Sequence, residues 1–338
     1  MAAPLKGMIP SDCVYDLKAF DPASTSAQTA QLNRDVISAA EKDEKWWKVG
    51  AQVYREMRAK GQTVFPPYTL NASATNVEVP SREAGRRINC RLIKPSNASV
   101  RPQGIFLHIH GGGWVLGTAQ GQDRLLSHIA DQTGLLLLSV EYRLAPEHIY
   151  PAAREDCEDV VDWLTVNAQA TLNADLWFIG GESAGATLSV LALLHLKEQG
   201  KANGIKGALL SYGCYDLSIL PSLKLAPNST PVLSLEDSER FFAAYLPGLS
   251  LEDRKDRAVS PAYNDLAGLC PALFLVGTED ALVDDTVLMH FRWLRAGNQA
   301  VLRFVPGAPH GFTLFDASSV EVTASGWQSI VDFTQNLL

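Results

Sequence analysis

Four short segments hold residues of the types that cleave acyl bonds. Gly181-Glu182-Ser183-Ala184-Gly185 has G-x-S-x-G spacing. Between a strand and a helix this spacing makes a sharp turn that lifts the Ser183 hydroxyl to the sheet edge, with glycines where side chains would collide. His110-Gly111-Gly112-Gly113-Trp114 closes an earlier apolar run. Three successive glycines cost backbone entropy, so the chain must approach something closely there. The N–H groups of such a loop, joined by that of the residue after the serine, suit the oxyanion formed when a carbonyl becomes tetrahedral. A serine hydroxyl is a weak nucleophile and needs a base and an orienting carboxylate, expected in the order Ser, Asp or Glu, His. Asp280 follows one apolar run, and His310 in Pro306–Phe312 lies one strand–helix–strand step later. Glu279, Asp284 and Asp285 are rivals to Asp280 at this level. His108 and His110 share a strand face but lack a third ligand at metal spacing, so no zinc site is expected.

These residues need a scaffold that brings distant segments to one edge. From Gly104 onward, apolar runs alternate with helical patterns, which predicts βαβ units and a mostly parallel sheet. Strands are expected over Gly104–His110, Leu135–Tyr142, Leu176–Gly180, Lys206–Tyr212, Pro271–Gly277 and Ala300–Val305. Helices are expected over Arg154–Asn167, where Cys157, Val160, Val161 and Leu164 form a stripe, over the nearly all-apolar Ala184–Leu196, and around Trp327, Ile330 and Val331. Two regions break the alternation. Residues 1–80 carry a helical stripe of Trp46, Val49, Val53 and Met57, ended by Pro66-Pro67. Asp216–Pro261 carries Phe241, Phe242 and Tyr245 behind an acidic helix start at Glu236–Glu239. Both read as parts of a lid, and Trp46, Trp47, Trp114, Phe241, Phe242 and Tyr245 are candidates to line an acyl or alcohol pocket.

Composition narrows the function classes. The 338 residues are 46% hydrophobic and 20% charged, an ordinary globular balance that excludes collagenous and disordered chains. A net charge of −8 argues against nucleic-acid partners, and the basic cluster Arg82, Arg86, Arg87 and Arg91 reads as a solvated strand edge. Arg143 and Glu147 read as a structural pair or loop anchors. No apolar run reaches the roughly 18 residues of a membrane span, so stable membrane insertion is not expected. Five scattered cysteines (Cys13, Cys90, Cys157, Cys214, Cys270) without C-x-x-C, and an N-terminus without an apolar leader, point to a reducing, cytoplasmic setting. The sequons at Asn71, Asn97 and Asn228 are then expected to stay unused.

Taken together, HGGGW, Tyr142-Arg-Leu-Ala-Pro-Glu147, GESAG, Asp280-Ala-Leu-Val-Asp284 and His310-Gly-Phe312 resemble the hormone-sensitive lipase (bacterial family IV-like) family of α/β-hydrolases, over about residues 80–338. The resemblance implies an α/β-hydrolase fold: a mostly parallel eight-stranded sheet, helices on both faces and a helical cap. Residues 1–80 would form the N-terminal part of the cap and 216–261 an inserted cap segment, with the core in 81–215 and 262–338. It further implies Ser183 as nucleophile, Asp280 as orienting acid, His310 as base, and Gly112, Gly113 and Ala184 as oxyanion-hole donors. Glu182 departs from the Asp or Thr of many members. The expected activity is a serine carboxylesterase acting on small to medium acyl esters through an acyl-enzyme, without metal or organic cofactor. The same site would serve an amidase or formamidase, a lactonase or an acyltransferase. A non-catalytic ligand receptor, known among relatives that lost the histidine, is disfavoured by His310. A small-molecule ester is the expected partner, and the reading is compatible with a homo-oligomer.

Overall fold

Eight strands form one sheet in the order β1-β2-β4-β3-β5-β6-β7-β8 in the computed structural model of the protein. It describes residues 15–338 apart from 98, 100 and 228, so Cys13, Asn228 and the expectations for residues 1–14 lie outside it. The strands are β1 (Thr75–Pro80), β2 (Arg87–Ile93), β3 (Ile105–Ile109), β4 (Leu136–Val140), β5 (Leu176–Glu182), β6 (Gly207–Ser211), β7 (Ala272–Glu279) and β8 (Ala300–Pro309). β1 and β2, and β2 and β4, pair antiparallel; all other neighbours are parallel. The first helices are α1 (Ala27–Lys42), α2 (Trp46–Val49), α3 (Ala51–Ala59), α4 (Asp123–Thr133) and α5 (Ala152–Leu172). They are followed by α6 (Ala184–Glu198), α7 (Pro221–Lys224), α8 (Leu235–Tyr245), α9 (Val283–Arg295) and α10 (Glu321–Gln335).

Strands buried on both faces read as continuous apolar runs, which is why β3 to β7 are visible in the sequence; β8 is only partly buried along its first half. Apolar layers cover both faces. One is built with α5, α6 and α9, the other with α4 and α10. The α5 stripe Cys157, Val160, Val161 and Leu164 is buried as the periodicity predicts. α6 buries nearly its whole circumference under the sheet centre, so truncating Leu193 to Ala there should destabilise by roughly 2–5 kcal/mol.

β1 and β2 are additions to the strands read from residue pattern, and they correct the reading of the basic cluster. Arg82 binds Asp159 at 2.7 Å and Glu158 at 2.9 Å, Arg86 binds Asp156, and Arg91 binds Asp123 at 2.6 Å. Asp156 and Asp123 are buried, so Arg86 and Arg91 pin the β1–β2 hairpin to α5 and α4, Arg82 ties it to α5 from an exposed position, and Arg87 is exposed as expected of a solvated edge. Arg143 and Glu147 do not pair with each other: Arg143 binds Asp156, and Glu147 binds Arg55 at 2.8 Å. The N-terminal helix is also shorter than the stripe suggests. Gly50, at φ +93, splits it into α2 and α3, and α3 ends at Ala59 before the prolines. α8 starts at a capping box between Ser234 and Asp237, which together with Glu236 suits its N-terminal dipole. Among the described residues, no helix is long and apolar enough to cross a membrane.

Candidate active site

The sheet carries its chemistry at the ends of β3, β5, β7 and β8. Ser183 sits between β5 and α6 at φ +54, ψ −123, a conformation that a non-glycine residue adopts only under constraint. Its N–H donates to the Ser211 carbonyl at 2.9 Å. The motif glycines have a steric cause: a Cβ on Gly181 or Gly185 would lie 2.0 or 1.9 Å from the Ile109 carbonyl oxygen. β5 and α6 can pack against β3 this closely only without those side chains.

His310 leaves β8 with Nε2 3.0 Å from Ser183 Oγ. Its Nδ1 faces both carboxylate oxygens of Asp280, at 2.9 and 3.0 Å. Since a carboxylate only accepts, Nδ1 carries the hydrogen, and in the neutral ring Nε2 is left as the acceptor toward Ser183. Asp280 is buried and also accepts the Leu282 N–H at 2.8 Å, which fixes its plane. The rival carboxylates are engaged elsewhere. Glu279 is exposed, and Asp284 accepts the Ser222 N–H. Asp285 is fully buried and accepts the N–H groups of Tyr215 and Asp216 at 2.7 and 2.8 Å, and burial pushes its carboxyl up to about 8.

The glycine loop faces the same point. Gly112 and Gly113 have φ of +120 and +61, and their N–H groups donate to no protein acceptor among the described residues. Ala184 opens α6, where helix N–H groups lack intrahelical partners. A Cβ on Gly113 would run into the Phe241 ring at 2.4 Å, so the aromatic lid presses directly on the loop.

Glu182 braces this arrangement, a role absent from the sequence reading. It accepts from the Gly111 N–H at 2.8 Å and from Gln122 Nε2 at 2.8 Å, and lies 2.9 Å from His108 Nε2. Burial opposes its charge, but His108 and the Gly111 N–H outweigh burial and hold the carboxyl below its usual range. The two strand histidines therefore do separate work. His110 stacks on Tyr142 with centroids 4.1 Å apart, and its Nδ1 donates to the Gly111 carbonyl at 2.9 Å. Burial pushes His110 down to about 4, so its ring is neutral near pH 7. Among the described residues, no group of three or more His, Cys, Asp or Glu could hold a metal ion.

A cavity of about 160 Å³ opens above Ser183. One ordered water needs roughly 10–15 Å³, so the space is large enough for a small molecule. Its walls come from residues 40–69, 110–125 and 232–242, with Trp114, Phe241 and Phe242 among them. Phe241 stacks on Trp46 at 5.4 Å, and Trp47 lies edge-on to Trp46. Tyr245 is a correction: it is buried behind the wall, stacked on Trp114 at 4.8 Å and edge-on to Tyr150, so it supports the lining without forming it.

Comparison with known proteins agrees with this geometry. A family model described as an alpha/beta hydrolase fold matches residues 106–314. An acetyl esterase of Salmonella schwarzengrund is 32% identical over 233 residues, covering 67% of this chain and 69% of that protein. A hyperthermophilic esterase from the archaeon Pyrobaculum calidifontis superposes with a TM-score of 0.79 at 25% identity, covering 90% of this chain and 97% of that one. A thermostable carboxylesterase cloned from a metagenomic library superposes with a TM-score of 0.75 at 26% identity, covering 86% and 98%. The motifs, the sheet order and these similarities lead to one conclusion: the chain belongs to the hormone-sensitive lipase-like family of α/β-hydrolases.

Proposed function

We propose that the protein is a carboxylic ester hydrolase in which Ser183 is the nucleophile, His310 the base and Asp280 the group that orients it. The observation that carries this reading is the continuous contact from Asp280 through His310 to Ser183 Oγ, at 2.9 and 3.0 Å, at the floor of the cavity. His310 takes the Ser183 proton as Oγ attacks the ester carbonyl, and Asp280 stabilises the resulting imidazolium. The N–H groups of Gly112, Gly113 and Ala184 receive the oxyanion. Collapse of the tetrahedral species expels the alcohol, which takes its proton from His310 and leaves the acyl group on Ser183. Water, deprotonated by His310, then attacks the acyl carbon and releases acid and free serine. No step calls on a metal or organic cofactor.

Of the expected cap segments, residues 40–69 and 232–242 line the cavity, whereas Thr75–Pro80, expected within the cap, is strand β1 and belongs with the core of 81–215 and 262–338. Trp114, Phe241 and Phe242 bound the acyl or alcohol side, and with the limited cavity this favours small to medium acyl groups over long chains. The test is hydrolysis of 4-nitrophenyl acetate, butyrate, octanoate and laurate beside Ser183→Ala. Serine-dependent turnover with an optimum at or below octanoate is expected. Turnover that survives in Ser183→Ala would overturn the mechanism, and a laurate optimum would overturn the size argument.

A further inference from the structure

The lysine and arginine side chains on the cavity wall are paired with carboxylates, with one exception among the described residues. Lys45 pairs with Asp237 at 3.5 Å, Arg124 with Asp316 at 3.0 Å, and Asp43 accepts the Tyr54 hydroxyl at 2.6 Å. Arg58, on α3, also lines the cavity, yet its guanidinium makes no ion pair or side-chain hydrogen bond with any described residue. Its Cζ lies over the Phe65 ring, 4.7 Å from the centroid. Phe65 packs on Phe315 at 5.3 Å and comes within 3.0 Å of where a Cβ on Gly311 would stand, so the cation is carried on a ring seated beside His310. Its positive field reaches His110 on the cavity floor, where it adds to burial in disfavouring a proton.

A half-buried guanidinium without a counterion loses hydration and gains only the ring face in return. With that face against Phe65, its edge N–H groups remain as a planar fork that matches a carboxylate in two parallel bonds. We propose that Arg58 is a specificity-determining residue that binds a carboxylate on the substrate, so that the preferred esters carry an anion remote from the scissile bond. This rests on Ser183 being the esterase nucleophile, and it goes beyond that reading by naming the substrate class.

The test uses two matched pairs: 4-acetoxybenzoate against 4-acetoxybenzamide, with the anion on the alcohol side, and monomethyl adipate against methyl adipamate, with it on the acyl side. Rates are normalised to hydroxide-catalysed hydrolysis. At least one carboxylate ester should exceed its amide partner about tenfold in kcat/KM. Arg58→Met should remove about 10- to 100-fold of turnover on that ester while leaving its neutral partner within about twofold, and Arg58→Lys should keep part of the preference. Equal turnover within both pairs, or an equal loss on both partners in Arg58→Met, would overturn the proposal. If the variants do not fold, wild-type hydrolysis of the neutral esters decides. Competitive inhibition by 4-hydroxybenzoate or adipate, and not by 4-hydroxybenzamide or adipamide, supports the proposal, and its absence overturns it. Neutral-ester turnover that persists in Ser183→Ala would instead sink the underlying mechanism, so the two failures are distinguishable.

Discussion

Ser183, His310, Asp280 and Gly111 are each held by hydrogen bonds of 2.8–3.0 Å from strand ends or their neighbours. Trp46, Trp114, Phe241 and Phe242 above them are held mainly by ring contacts 4.8–6.1 Å apart. Hydrogen bonds and carboxylate pairs fix directions, which proton transfer demands. Ring packing fixes volumes and tolerates small shifts, which suits discrimination between acyl groups. The lower layer should therefore respond to substitution in rate, and the upper in selectivity.

The largest effects test the lower layer. Ser183→Ala should reduce kcat by roughly 10⁴ or more, and Asp280→Asn by up to about 10⁴, because the histidine loses its fixed tautomer. Retained turnover of 4-nitrophenyl butyrate in either would break the comparison at its base. Glu182→Ala comes next. It leaves the Gly111 N–H, Gln122 and His108 without their shared acceptor, so we expect kcat to fall about 10- to 100-fold with little change in KM. Glu182→Gln, which keeps an acceptor for Gly111 and Gln122, should recover much of the loss. A KM effect without a kcat effect would show that Glu182 does not position the loop.

Asp285 sits where the two regions join, since it holds the N–H groups of Tyr215 and Asp216 at the start of the inserted segment. Folded Asp285 keeps its proton up to about pH 8, while unfolded Asp loses it near 3.8, so the folded state binds the extra proton and stability falls as pH rises. His110 acts in the opposite direction. Unfolded His takes a proton below 6.5 and the folded ring only near 4, so stability falls as pH drops. The two contributions cancel between pH 4 and 6.5, and above 6.5 Asp285 alone lowers stability, by about 2 kcal/mol on reaching pH 8. Asp285→Asn should flatten urea-unfolding stability between pH 6.5 and 8. A variant curve parallel to wild type there would mean that Asp285 is ionised in the folded protein.

The smallest effect sharpens the upper half. Phe241→Ala removes the ring that presses on Gly113 and stacks on Trp46. It should raise kcat/KM for the octanoate ester about 3- to 10-fold relative to acetate, with the rate on the best ester little changed. A uniform fall across chain lengths would instead assign Phe241 to loop positioning.

Much of the lower layer was written locally. Gly181, Gly185 and the glycines after His110 are required where backbones meet, and the buried parallel strands appear as apolar runs, so chain order alone suggests which loops share an edge. β1 and β2 were harder to read because their arginines resemble a solvated surface until Asp123, Asp156 and Asp159 arrive from distant helices. Residue types and spacing thus determined the sheet, its class and the chemistry its loops can carry, because those depend on steric and periodic patterns within a few residues. Only the tertiary structure decided that Asp284 and Asp285 bind backbone N–H groups away from His310, that Glu182 braces Gly111, that Tyr245 stands behind the cavity wall and that Arg58 reaches that wall. Each of those facts is a contact between segments far apart in the chain, set by packing and mutual hydrogen bonding that no local pattern encodes.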